Sequence, residues 1–224
     1  MRTIAYVDGH NLYFNCLKKT QYKWLDLEAL LTTMIAGAAP GSELLRVKYF
    51  TSPIKGSLSR RGQASTNAQA EYIRALRENP RIAITEGRFS VESAQALRHV
   101  TPPNIGDRVK IWRIEEKETD VSLAVTMYRD ARAALVDQVV LVSNDSDMVP
   151  ALRTIRDDTD VRVGVILPLG GPLGGTKSGR RPSATLAAHA DWVRESISQE
   201  ELAAAQLPSR VQTARRPACR PSHW

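Results

Sequence analysis

The chain has 224 residues, with 31 Lys and Arg against 24 Asp and Glu, a formal net charge of +7. Apolar residues make up 42% and charged residues 25%, which is a globular rather than a disordered balance, and the length suits one domain or a domain and a half. No run approaches the ~20 apolar residues of a membrane span, the N-terminus lacks a signal-peptide core, and two thiols, Cys16 and Cys219, make neither a disulfide framework nor a cysteine-rich zinc site, so a cytoplasmic protein is expected.

The predicted elements alternate. Residues 3–7 form an apolar, β-branched run that stops at Asp8-Gly9, the pattern of a buried strand ending in a turn. Residues 11–18 suit a helical turn or two. Asp26 caps a helix over 27–36 that Gly37 closes. A second strand is predicted at 44–50 and a loop at 52–66. A helix at 67–78 presents Ala70, Ile73, Ala75 and Leu76 near one face. A third strand spans 81–85, a Pro/Gly-containing loop 99–107, and a strand or arm beside the sheet 109–114. The next helix, 119–135, has Val121, Ala124, Val125, Tyr128 and Ala131 as its stripe. The run Q-V-V-L-V-S (138–143) is a strand leading into N-D-S-D (144–147), then a helix over 148–156 with Pro150 in its first turn. A last core strand is predicted at 161–167, a mobile glycine-containing loop at 168–182, a helix at 183–195 and a final turn at 200–206.

Continuous apolar strands alternating with helices predict an α/β fold, a central parallel sheet covered by helices on both faces. The domain is expected to span residues 1–207. Residues 208–224 hold Arg210, Arg215, Arg216 and Arg220, three prolines and no acid. They read as a basic, disordered tail that adds salt-dependent affinity for phosphate.

Several chemistries find no motif. There is no G-x-G-x-x-G after the first strand, no G-x-x-x-x-G-K-[ST] and no G-x-S-x-G, and the four histidines lack zinc-ligand spacing. Acids at strand ends stand out instead. Asp8 ends the first strand, Asp145 and Asp147 follow the strand at 138–143, and Asp120 opens the helix before it. In open α/β sheets ligands bind outside the carboxyl ends of strands where strand order reverses. Clustered carboxylates there suit Mg²⁺ or Mn²⁺, which activate water and stabilise in-line phosphoryl displacement. Lys55, Arg60, Arg61, Arg74 and Arg88 are candidate phosphate contacts.

Three segments, Y-V-D-G-H-N-L-Y (6–13), E-E-K-E-T-D-V-S-L-A (115–124) and V-S-N-D-S-D-M (142–148), resemble the NYN domain family of PIN-like nucleases in order and spacing. W-L-D-L-E-A-L (24–30), V-K-Y-F-T (47–51) and L-A-A-A-Q-L-P (202–208) extend the resemblance to almost everything except the tail. The resemblance implies a Rossmann-like PIN fold, a divalent-metal site and ribonuclease activity. It maps the family's acidic positions, catalytic and metal-binding, onto Asp8, Asp120, Asp145 and Asp147. It maps substrate or steadying roles onto Asn11, Lys117, Ser143 and Asn144. Many relatives carry an acid where this chain has Thr126 and a glycine where it has Asn144, so a non-catalytic RNA-binding or regulatory module is the alternative. Some bacterial relatives are named hydroxylases of a pyridine derivative; this sequence offers no flavin or haem motif. The expected partner is RNA, and the oligomeric state, a homodimer included, is left open.

Overall fold

In the computed structural model, residues 1–58, 61–170 and 181–224 are described. Six parallel strands form the central sheet in the order β3-β2-β1-β6-β7-β8. They are β1 (Arg2–Asp8), β2 (Glu43–Thr51), β3 (Ile82–Glu86), β6 (Gln138–Val142), β7 (Arg162–Ile166) and β8 (Trp192–Arg194). The chain lays down β1, β2 and β3 in one direction, then returns to place β6 on the other side of β1. The strand order reverses at the β1/β6 boundary, and the register there pairs Val7 with Val142. Asp8 and Ser143 thus leave the sheet side by side.

Alternation along β1 divides the core. Ile4 and Tyr6 pack with Leu123 and Met127 of α4 (Thr119–Arg132) and with Leu152 and Ile155 of α5 (Val149–Asp158). Ala5 and Val7 pack on the other face with α2 (Leu27–Ala38) and α3 (Gln63–Leu76). Burial on both faces explains why these strands read as unbroken apolar runs. Asp26 caps α2 through the Ala29 amide, while Gly37 lies inside the helix, which ends at Ala38. The first helical segment is α1 (Gly9–Leu12), continued by a π-helical turn over Tyr13–Leu17.

Below the site, Asp130 of α4 is buried. It accepts a hydrogen bond from the Tyr6 hydroxyl at 2.7 Å and pairs with Lys48 of β2. This fastens α4 to the two strands that it crosses.

Gly9, directly after β1, is sterically required. A Cβ there would lie 2.7 Å from the Phe50 carbonyl oxygen and from the Tyr49 ring. Gly9→Ala should therefore destabilise the protein by about 1–3 kcal/mol, the usual cost of overpacking, read as a lower urea midpoint at unchanged slope.

Four expectations are corrected. The strand or arm predicted at 109–114 is a strand but a longer one, and it stands apart from the central sheet in an antiparallel ribbon, β4 (Arg88–Leu97) with β5 (Arg108–Lys117). Its β4 half has no counterpart in the sequence reading. The helix at 183–195 is only α6 (Ala184–Ala187), and the chain then enters β8, where Trp192 lies over Gly164 and its Nε1 donates to Gln138 at 2.9 Å. The strand at 161–167 is thus not the last of the sheet. The mobile loop predicted at 168–182 falls mostly in 171–180, outside the described residues.

The fourth correction concerns 208–224, expected to be a disordered tail beyond a domain ending at 207. This segment folds back onto α2 and α3 after α7 (Gln199–Ala204) and forms the short pair β9 (Arg210–Val211) and β10 (Ala218–Cys219). Ala218 is fully buried. The Trp224 ring lies 6.2 Å from Trp24 and 5.8 Å from Tyr72. Trp24 Nε1 donates to the Pro208 carbonyl at 2.7 Å, Arg216 pairs with Glu71 at 3.0 Å, and Arg220 donates to the Gln21 carbonyl at 2.7 Å. Composition misled because the segment's few apolar residues need not bury one another: Trp24 and Tyr72 supply the surface.

Candidate active site

Asp8 is only 4% exposed. One carboxylate oxygen accepts the Asn11 amide at 2.9 Å, and the other accepts the Ser143 hydroxyl at 2.9 Å. Ser143 Oγ also accepts the Asp145 amide at 3.0 Å, so one buried hydroxyl links both strand-end acids. Asn11 Oδ1 receives the Asn144 amide at 2.9 Å and the Asn15 side chain at 2.7 Å. Asn144 in turn donates to the Arg181 carbonyl at 3.1 Å and accepts the Ser183 amide at 2.9 Å. Asp145 begins a 3-10 turn, with its Oδ1 accepting the Asp147 amide at 3.0 Å.

Asp120, in the first turn of α4, faces the same cleft. Burial, then the charges of Asp145, Glu116 and Asp147, push its carboxyl above the usual carboxylate range. Burial raises Asp8 to about 6, against the hydrogen bonds from Asn11 and Ser143 and with a further push from Asp120. The four acids thus share one negative field. Among the described residues, no group of three or more His, Cys, Asp or Glu forms a ready cage for a metal ion.

A pH dependence follows. Asp8 binds its proton more tightly folded than unfolded, where it titrates near about 4, so the folded state is favoured at low pH. This contribution is lost as pH rises from about 4 through about 6 and stays lost above. It amounts to at most roughly 3 kcal/mol. Asp8→Asn in EDTA should flatten that fall, so its stability relative to the unmutated protein rises between pH 4 and 7 in thermal melts.

Two residues of the site escaped the sequence reading. His10 Nδ1 lies 2.5 Å from Glu116 at the root of β5, and Glu116 also accepts the Thr119 hydroxyl at 2.6 Å. Burial alone would raise Glu116, but the His10 and Thr119 hydrogen bonds outweigh it and hold its carboxyl low. The clue in the sequence is the His inside D-G-H-N, directly after the strand-end acid and its glycine.

The substrate-contact candidates divide. Ser143 is fully buried and steadies Asp8, and Asn11 and Asn144, both half-buried, hold the strand ends together. Lys117 pairs with Glu115 at 2.5 Å on the ribbon. Arg88 pairs with Glu118 at 2.6 Å. Arg74 pairs with Glu71 and donates to the Pro217 carbonyl at 2.8 Å, so it anchors the C-terminal segment. Lys55 and Arg61 are exposed, and Arg61 is near enough to Tyr13 and Lys23 to act on both electrostatically. Arg60 lies outside the described residues.

A doubly covered parallel sheet with acids at its switch point defines a PIN-like α/β protein. The NYN domain family model matches residues 2–178, and the chain belongs to that family. Over its whole length it is also 38% identical to the 6-hydroxy-3-succinoylpyridine 3-monooxygenase HspA of Pseudomonas putida, of which it covers 75%. A crystal structure of a protein of unknown function from Vibrio parahaemolyticus aligns over 92% of this chain and 96% of that one, with TM-score 0.49 and 18% identity. No helix among the described residues is long and apolar enough to cross a membrane.

Proposed function

We propose that the chain is a divalent-metal-dependent ribonuclease. The observation that supports this most is the shared field of Asp8, Asp120, Asp145 and Asp147 at the β1/β6 switch point. Hard carboxylate oxygens gathered at one strand end suit Mg²⁺ or Mn²⁺. Mg²⁺ keeps several waters and needs only one or two protein carboxylates besides substrate phosphate, so a closed cage is not required. Asp8, Asp120 and Asp145 would hold the ion, with Asp147 beside them. A bound ion there supplies Lewis acidity and an activated water for attack on phosphorus. Asn11 and Ser143 hold the Asp8 carboxylate in one orientation, and Glu116 holds the His10 ring beside it.

A second reading comes from the Pseudomonas relative: oxidation of a pyridine ring. One pair of assays separates them. Purified protein is given mixed RNA with Mg²⁺ or Mn²⁺ against EDTA, and separately 6-hydroxy-3-succinoylpyridine with NADH and added flavin while dioxygen is followed. RNA cleavage that EDTA stops, with no dioxygen uptake, is the expected result. Substrate-dependent dioxygen uptake without RNA cleavage would replace the ribonuclease reading with the second.

A further inference from the structure

The β4/β5 ribbon has two chemically different faces. In an antiparallel pair, opposed residues share a face and successive residues alternate. The register places Phe89 beside Glu116 at the root of one face, followed by Ile114, Trp112, Lys110 and Arg108 toward the tip. Trp112 is 71% exposed. Neither Lys110 nor Arg108 makes an ion pair among the described residues. The strand acids Glu92 and Glu115 lie on the opposite face, Glu92 across from Arg113 and Glu115 paired with Lys117. Glu116, the one strand acid on the first face, is engaged by His10. This face therefore carries rings and two cations without an ion pair among the described residues, while each cation of the other face, Arg88, Arg113 and Lys117, lies with a carboxylate.

The root of this face meets the site. The His10 ring lies 5.4 Å from Phe89 and 5.5 Å from Phe14, and Lys18 sits 4.6 Å above the Phe14 ring. His10 acts electrostatically on both Asp8 and Asp120. The root is also pinned. A Cβ on Gly87 would fall 2.3 Å from Thr119 Oγ1, and Thr119 meets Ser52 at 3.1 Å. Rings and cations thus run about 30 Å along the strands, at ~3.4 Å per residue, into the acidic cluster.

We propose that this face is the track for single-stranded RNA, with Trp112 stacking a base and Lys110 and Arg108 holding phosphates. The proposal rests on the ribonuclease reading for what happens at the end of the track. Carboxylates repel a polyanion, and a cationic approach offsets that repulsion. Stacking platforms with cations along a groove bind single strands without regard to sequence, because every base has a π face. A second copy of this chain fits worse: a two-fold contact through this face would set Lys110 and Arg108 against like charge.

The test reads binding in EDTA, by fluorescence anisotropy of a labelled single-stranded RNA with the full chain. Trp112→Ala should weaken binding about 10-fold, and Trp112→Phe should restore most of it. Arg108→Ala with Lys110→Ala should lower the slope of log affinity against log salt by about 1.4. Ile111→Ala, on the opposite face, should bind as the unmutated protein does. With metal present, Trp112→Ala should still cleave a dinucleotide, which is shorter than the ~14 Å of strand between Glu116 and Trp112. Equal binding by all variants overturns the track while leaving the ribonuclease reading intact. A dimer that Trp112→Ala dissociates in sedimentation, with RNA binding unchanged, overturns it in favour of an interface between copies. Ribbon-dependent binding with no cleavage of any RNA supports the track and overturns the ribonuclease reading alone.

Discussion

Asp145→Asn should reduce metal-dependent RNA cleavage on the order of 100-fold or more, because it removes one negative charge from the cluster proposed to hold the ion. The substitution is mild structurally. Asp145 Oδ1 caps the Asp147 amide at 3.0 Å, and an asparagine oxygen caps equally well. Its own amide still donates to Ser143. RNA binding should hold or tighten, since a carboxylate that repels phosphate is gone. Without metal, the melting temperature should stay level or rise, because Asp145 is one of the charges that push Asp120 upward. A purely structural Asp145 would give the reverse, a lower melting temperature with turnover retained. Cleavage that survives both EDTA and the substitution would point to a contaminating nuclease.

Trp24→Ala should cost about 3–5 kcal/mol, the range for deleting a large buried aromatic. Trp24 is fully buried, touches Tyr72 and Trp224, and donates to Pro208. Trp224→Ala should cost less, about 1–3 kcal/mol, since its ring is only half-buried. Both losses should appear as lower urea midpoints and should persist at high salt, because apolar contacts are not screened. A Trp224→Ala midpoint equal to that of the unmutated protein would restore the picture of a loose basic arm.

The strands of the sheet were legible because burial on both faces leaves little room for polar residues. The positions of Asp8 and Asp145 at strand ends were legible because each sits where an apolar run stops, Asp8 after Val7 and Asp145 just beyond Val142. What depended on tertiary contact was not legible. The segment 183–195 contains good helix formers, yet Trp192 is drawn into an edge strand by Gly164 and Gln138. The segment 90–96 is mostly small and polar, and becomes a strand because β5 supplies a ladder. His10 and Glu116 are far apart in the chain and meet only because the ribbon returns Glu116 to the end of β1. Arg74 looked like a surface cation because nothing local predicts that the Pro217 carbonyl will claim it.

Helix α4 bears Asp120 near its start and Asp130 ten residues further on, about 15 Å away at 1.5 Å per residue. The far residue is the one bolted to Tyr6 and Lys48. The near end is held as well, by Thr119 against Ser52 and Glu116, so the helix is a beam clamped at both ends with Asp120 just inside one clamp. A substitution at Lys48 would loosen the far clamp, and its symptom would be a small shift of Asp120 within an acidic cluster that Lys48 never touches.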